Sequence, residues 1–129
     1  MRLALVSLVA LAVVGCGRAD DRRTVSETTA GFLRAVDAQD GSAACGALSE
    51  DTAEAVASEE EKPCAEAVTG LSLTPSPVRR VQVFGIDAQV DLADGAIAFL
   101  QLTPVGWRLT AAGCHPSGGD QPYDCEVSD

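Results

Sequence analysis

The spacing of apolar residues changes period near the middle of this chain. From Thr24 to Gly70 it is helical: Val25, Thr29, Phe32 and Val36 recur on one face. Thr24 with Glu27 three residues on has the form of a capping box, which predicts a helix that starts at Thr24 and is ended by Asp40-Gly41. A second helical stretch holds Ala44, Cys45 and Leu48, restarts after Ser49, and presents Ala53, Val56 and Ala57 on one side, with Glu59, Glu60 and Glu61 as its solvated end. Pro63 suits the first turn of a third helix, Cys64 to Thr69, which Gly70 closes.

Leu71 to Pro77 carries Pro75 and Pro77 and must run extended. Beyond it the period becomes two. Val81 and Val83 flank Gln82, and Ala88, Val90 and Leu92 alternate with Gln89, Asp91 and Ala93. Asp94-Gly95 is a hairpin signal. Ala96 to Leu102 is more continuously apolar, with Ile97 and Phe99 on one face and Ala98, Leu100 and Leu102 on the other, which predicts a central strand. Pro104 to Gly106 turns the chain again. Trp107, Leu109 and Ala111 form the inward face of a last strand ending at Gly113-Cys114, and the tail from His115 to Asp129 reads as loop. Helices followed by an antiparallel meander define an α+β domain, with N-terminal helices packed on one sheet face.

The first residues follow a different plan. Arg2 precedes a nearly unbroken run of Leu, Ala and Val from Leu3 to Val14. About a dozen residues are too few to cross a bilayer, which takes roughly 20, so the run reads as a signal peptide. Val13-Val14-Gly15-Cys16 resembles the lipobox of bacterial lipoproteins. That resemblance implies cleavage after Gly15 and acylation of Cys16 with diacylglycerol and palmitate. It also implies a lipid-anchored protein on the extracytoplasmic face of the cell membrane. The small and charged residues from Gly17 to Arg23 suit a tether. The expected organisation is a signal peptide at 1–15, a lipidated tether at 16–23 and one domain over 24–129.

The cysteine count fits this plan. Five cysteines are awkward in an oxidising compartment, and acylation of Cys16 leaves Cys45, Cys64, Cys114 and Cys125, an even set able to pair fully. Three connectivities are possible. Proximity in sequence favours Cys45 with Cys64 and Cys114 with Cys125, each restricting the unfolded chain by roughly 3 kcal/mol. A metal site at Cys114, His115 and Cys125 is the weaker reading, because neighbouring residues rarely converge on one ion and no CxxC pair exists.

Charge excludes another class. Without Arg2, 8 basic residues stand against 19 acidic ones, a formal charge of −11. Nucleic acid is not expected as a partner, since Arg22-Arg23 and Arg79-Arg80 are isolated pairs in an acidic field. Eight of the nine basic residues are Arg and alanine is abundant, a pattern of GC-rich genomes.

The leading helix with Phe32, the pair Ala44-Cys45, Gly106-Trp107-Arg108, Ala111-Ala112-Gly113-Cys114 and Pro122-Tyr123-Asp124-Cys125 resemble small lipoproteins of actinobacteria. These are similar to the cone-shaped fold of nuclear transport factor 2 and ketosteroid isomerase. The resemblance implies a fold and an address, and no activity.

Enzymes of that cone hold an ionisable base against an apolar wall. The candidates here are Asp87, Asp91, His115 and Tyr123. Asp91 faces away from the apolar side of its strand, Asp87 starts a turn, His115 is a loop residue, and Tyr123 is placed to cover the second disulfide. No nucleophile triad, phosphate-cradling loop or calcium loop is present in the sequence. The expected function is a non-catalytic binding or interaction module without a cofactor, its partner a small apolar ligand or a membrane protein, with Trp107 as core or as anchor. The alternatives are a small cone-fold enzyme and a purely structural envelope lipoprotein. What separates them is whether the space between helices and sheet is empty, and with 4% aromatic residues and many small ones the sequence points to filled.

Overall fold

The computed structural model describes residues 16–120 and 122–129; the signal peptide expected at 1–15 lies outside the described residues. Helix α1 spans Cys16–Asp37. It therefore begins before Thr24, and the segment expected to be a tether is helical. Thr24 and Glu27 lie inside the helix and do not cap it. Ala19 and the arginines at 18, 22 and 23 are good helix formers. An exposed Arg23–Asp20 pair at 3.8 Å adds little. The predicted face is the buried one: Val25, Thr29, Phe32 and Val36 are all buried, joined by Leu33. The Thr29 hydroxyl donates to the Val25 carbonyl at 2.9 Å, which lets a polar side chain sit in the core.

Gln39, not Asp40-Gly41, turns the chain out of α1. It adopts φ 59°, and its side-chain amide donates to the carbonyls of Val36 and Thr69 at 3.3 and 3.2 Å. Asp40 instead opens α2 (Gly41–Gly46), its carboxylate accepting from the Ala43 amide at 3.1 Å. Gly41 is required for packing: a Cβ there would lie 1.8 Å from the Ala65 carbonyl oxygen. Ser49 caps α3 (Glu50–Glu60), accepting from the Thr52 amide at 3.2 Å. Helix α4 (Cys64–Ala67) follows Pro63 and tightens into a short 3₁₀ turn, Val68–Gly70. The Cys45–Cys64 disulfide ties α2 to α4.

The sheet is antiparallel, in the order β1 (Val78–Phe84), β2 (Asp87–Leu92), β3 (Ile97–Thr103) and β4 (Gly106–Pro116). Strand β2 shows the alternation its sequence predicts, with Ala88, Val90 and Leu92 buried. In the β2–β3 hairpin the Asp94 carboxylate accepts from the Ala96 amide at 2.9 Å. Strand β3 is central, and Ala98 and Leu100 are its buried face. Strand β4 departs from strict alternation. Leu100 pairs with Leu109 but Phe99 with Ala111, and Ile97 pairs with Cys114, so two irregularities interrupt the register. Trp107, Leu109 and Ala111 are buried as their spacing predicts, and Ala112 and Cys114 are buried beyond them. Gly113 takes φ 63° beside Leu73 and Glu126, where a Cβ would collide with both side chains.

The tail is not all loop. Strands β5 (Tyr123–Asp124) and β6 (Val127–Ser128) both pair with β4, and Val127 is buried against it. The Cys114–Cys125 disulfide fixes this return. Both disulfides thus follow the local connectivity. Cys125→Ser should lower unfolding free energy by about 3 kcal/mol through loss of the cross-link, more than any strictly exposed substitution in the tail. Equal urea midpoints for the variant and the parent under non-reducing conditions would contradict it.

Helix α1 crosses β1, β2 and β4. Its C-terminal half, at Leu33, lies beside Leu92 and Ala96. Its N-terminal part reaches the opposite end of the sheet, where the Trp107 indole N–H donates to the Asp21 carboxylate at 3.0 Å.

Candidate functional site at the Trp107 end of the sheet

The surfaces of helices and sheet that meet are apolar. Phe32, Leu33 and Val36 from α1 meet Val90, Leu100 and Leu109 from the sheet in one continuous buried cluster. Among the described residues every buried side-chain nitrogen and oxygen has a hydrogen-bond partner.

Trp107 belongs to this core. It is 2% exposed, and only its N–H reaches outward, to Asp21. The contact joins the first turns of α1 to the start of β4. Leu102 pairs with Trp107 across β3 and β4, and the Leu102 amide donates to the Ile86 carbonyl at 2.7 Å. The β1–β2 and β3–β4 turns are thereby held side by side, next to the N-terminal end of α1. Their side chains are not covered: Phe84 is 61%, Ile86 56%, Leu102 41% and Val105 73% exposed. No charged residue occurs in 84–86 or in 102–106.

Beside the β3–β4 turn an open groove of about 650 Å³ runs between that hairpin and the start of α3. Val105 and Arg108 border it on one side, Glu50 and Asp51 on the other, with Asp129 also in its wall. The α2–α3 link forms its floor by pairing with β4: the Ser49 amide donates to the Leu109 carbonyl, and the Leu109 amide to the Ala47 carbonyl, both at 2.9 Å.

Of the residues singled out as candidate acids and bases, the two carboxylates of β2 do not meet. Asp87 and Asp91 sit at opposite ends of β2, about 13 Å apart along an extended strand. Asp91 accepts from the Gln89 amide at 2.9 Å. His115 is exposed on the far part of β4, beside a small concavity of about 120 Å³ that Leu33 and Leu92 also line. Tyr123 packs edge-to-face on Phe99, ring centres 5.1 Å apart. Among the described residues no group of three or more His, Cys, Asp or Glu is arranged to hold a metal.

What the sequence did not single out is the exposed apolar quartet. Phe84 and Ile86 lie at the end of β1 and in its turn, Leu102 and Val105 at the end of β3 and in its turn, and only the pairing of β2 with β3 brings them together. The available signal was two apolar turns, Phe84-Gly85-Ile86 and Pro104-Val105-Gly106, where polar turn residues are the rule.

Comparison of the chain with family models, with curated proteins and with solved structures finds no match. No helix among the described residues is long and apolar enough to cross a membrane.

Proposed function

We propose that this chain is an extracytoplasmic lipoprotein, held at the cell membrane through acylated Cys16, whose folded part is a non-catalytic interaction module of the cone-like class. The observation that carries the reading is the arithmetic of the cysteines. Cys45–Cys64 and Cys114–Cys125 consume four of the five, and the one left over stands directly after Gly15 at the end of the apolar run Leu3–Val14. Two disulfides in a domain this small also suit an oxidising compartment. The cone-like assignment rests on the order of helices and antiparallel strands and on helix α1 lying across the sheet. A continuous buried apolar cluster between α1 and the sheet favours docking through the surface over carriage of a ligand inside. Asp87 and Asp91, at opposite ends of one strand, are too far apart to act as a carboxylate pair.

Fractionation of expressing cells tests the anchor. Parent protein is expected in the membrane fraction, and Cys16→Ala in the precursor form or released. A variant that stays in the membrane fraction at the same mass as the parent overturns the lipid anchor at Cys16.

A further inference from the structure

We propose that the paired hairpin tips carrying Phe84, Ile86, Leu102 and Val105 are a bilayer-docking surface, so that the domain touches the membrane at a second place besides the acyl group. The inference rests on the lipoprotein reading for the position of the lipid, and on the fold for everything else.

The direction of α1 carries it. The helix runs from Leu33, beside Leu92 and Ala96 at one end of the sheet, to Asp21, which is bonded to Trp107 at the other. Continuing past Asp21, the helix leaves the domain on the side where the two apolar tips stand. Cys16 is five residues further on, about 7.5 Å at the helical rise. An extended tether over 16–23 would let the domain float as much as roughly 26 Å from its lipid. A helix that is continuous from Cys16 removes that slack. The polar interfacial layer on each side of a bilayer is roughly 5–8 Å thick, so a domain held this closely brings its own end face into that layer.

The chemistry of the end face matches. Four large apolar side chains, each more than two-fifths exposed, lie at the two tips, Phe84 on one face of the sheet and Leu102 on the other; neither turn carries a charge, and the nearest is Asp87, paired with Phe84. Such a group is out of place on a surface facing water and suited to the acyl boundary. Arg18, Arg22 and Arg23 occupy the exposed first turns of α1, at headgroup level; Asp20, paired with Arg23, and Asp21, bonded to Trp107, stand among them. Glu50, Asp51 and Asp129 across the neighbouring groove limit the depth: the tips enter, and the groove stays in water.

Tryptophan reporters test this in the processed, full protein purified from membranes and reconstituted into phosphatidylcholine vesicles with brominated acyl chains. Val105→Trp and Ile86→Trp place a ring at the tips, and Glu59→Trp places one on the exposed end of α3; buried Trp107 contributes the same background to all three. The expected result is blue-shifted emission and loss of most of the added signal to bromine at 105 and 86, with none lost at 59. Unquenched emission at all three sites overturns the bilayer contact. A blue shift without quenching at 105 and 86 assigns the tips to a second copy of the chain and also overturns it. The mass of the N-terminal peptide, read on the same preparation, decides the acylation of Cys16 independently, so the loss of one conclusion is distinguishable from the loss of the other.

Discussion

Gly41→Ala is expected to lower the melting temperature severely, while Gly46→Ala, five residues on in the same helix, leaves it unchanged or raises it. The two glycines differ in what surrounds them. A Cβ on Gly41 would lie 1.8 Å from the Ala65 carbonyl oxygen and 2.9 Å from the Ala65 Cα, whereas one on Gly46 meets nothing within 4 Å. The obstruction at Gly41 is backbone, which cannot rotate aside as a side chain would. Helix α2 also cannot back away freely, because Cys45–Cys64 fastens it to α4. A loss of about 4 kcal/mol or more is the scale for an unrelieved core clash. In a domain near 110 residues that corresponds to roughly 15 °C, at about 4 °C per kcal/mol. At Gly46 the gain from a better helix former is about 0.5–1 kcal/mol. Thermal unfolding followed by circular dichroism separates the two; equal melting temperatures would mean that α2 and α4 do not approach as described.

Phe32→Ala is expected to cost about 3–5 kcal/mol, the range for emptying a fully buried aromatic site. Phe32 is 0% exposed and is the largest of the wholly buried side chains, set among Leu33, Val36 and the inward residues of β2 to β4. The helices around it are short and cross-linked, so collapse onto the vacated volume is restricted. Val105→Ala, by comparison, should change stability by less than about 0.5 kcal/mol, since Val105 is exposed. Urea midpoints for the two variants decide this, and a Phe32→Ala midpoint indistinguishable from that of Val105→Ala would remove Phe32 from the core.

These expectations draw on features that were unequally legible in the sequence. The buried face of α1 was plain, because Val25, Thr29, Phe32 and Val36 keep a helical period over three turns and nothing competes with it. Strand β2 was plain for the same reason at period two. The start of α1 was not, since Thr24-x-x-Glu27 has the form of a cap, and only the continuation of good helix formers upstream shows that no cap is needed there. Asp40-Gly41 was misread as a stop. Both residues open α2, and Gly41 answers to Ala65, a neighbour 24 residues away in the chain that no local pattern reveals. The irregularities in β4 were hidden because Ala111 and Ala112 are equally small and both are buried, so the alternation gives no sign of where the register slips. Strands β5 and β6, two residues each, exist only because β4 offers them an edge and Cys114–Cys125 holds them to it.

The candidate site was less legible than the fold. The two disulfides join cysteines close in sequence, so they were readable from the cysteines alone. The apolar end face was not, because Phe84, Ile86, Leu102 and Val105 come from two separate turns and converge only through strand pairing. The contact between Asp21 and Trp107, which orients α1 over that end, joins residues 86 apart in sequence.

The most direct test of the lipid anchor is the mass of the N-terminal peptide of the protein isolated from its own membranes. The predicted result is a peptide that begins at Cys16 and carries a thioether-linked diacylglycerol. A peptide that begins elsewhere, or that begins at Cys16 with an unmodified thiol, would contradict it.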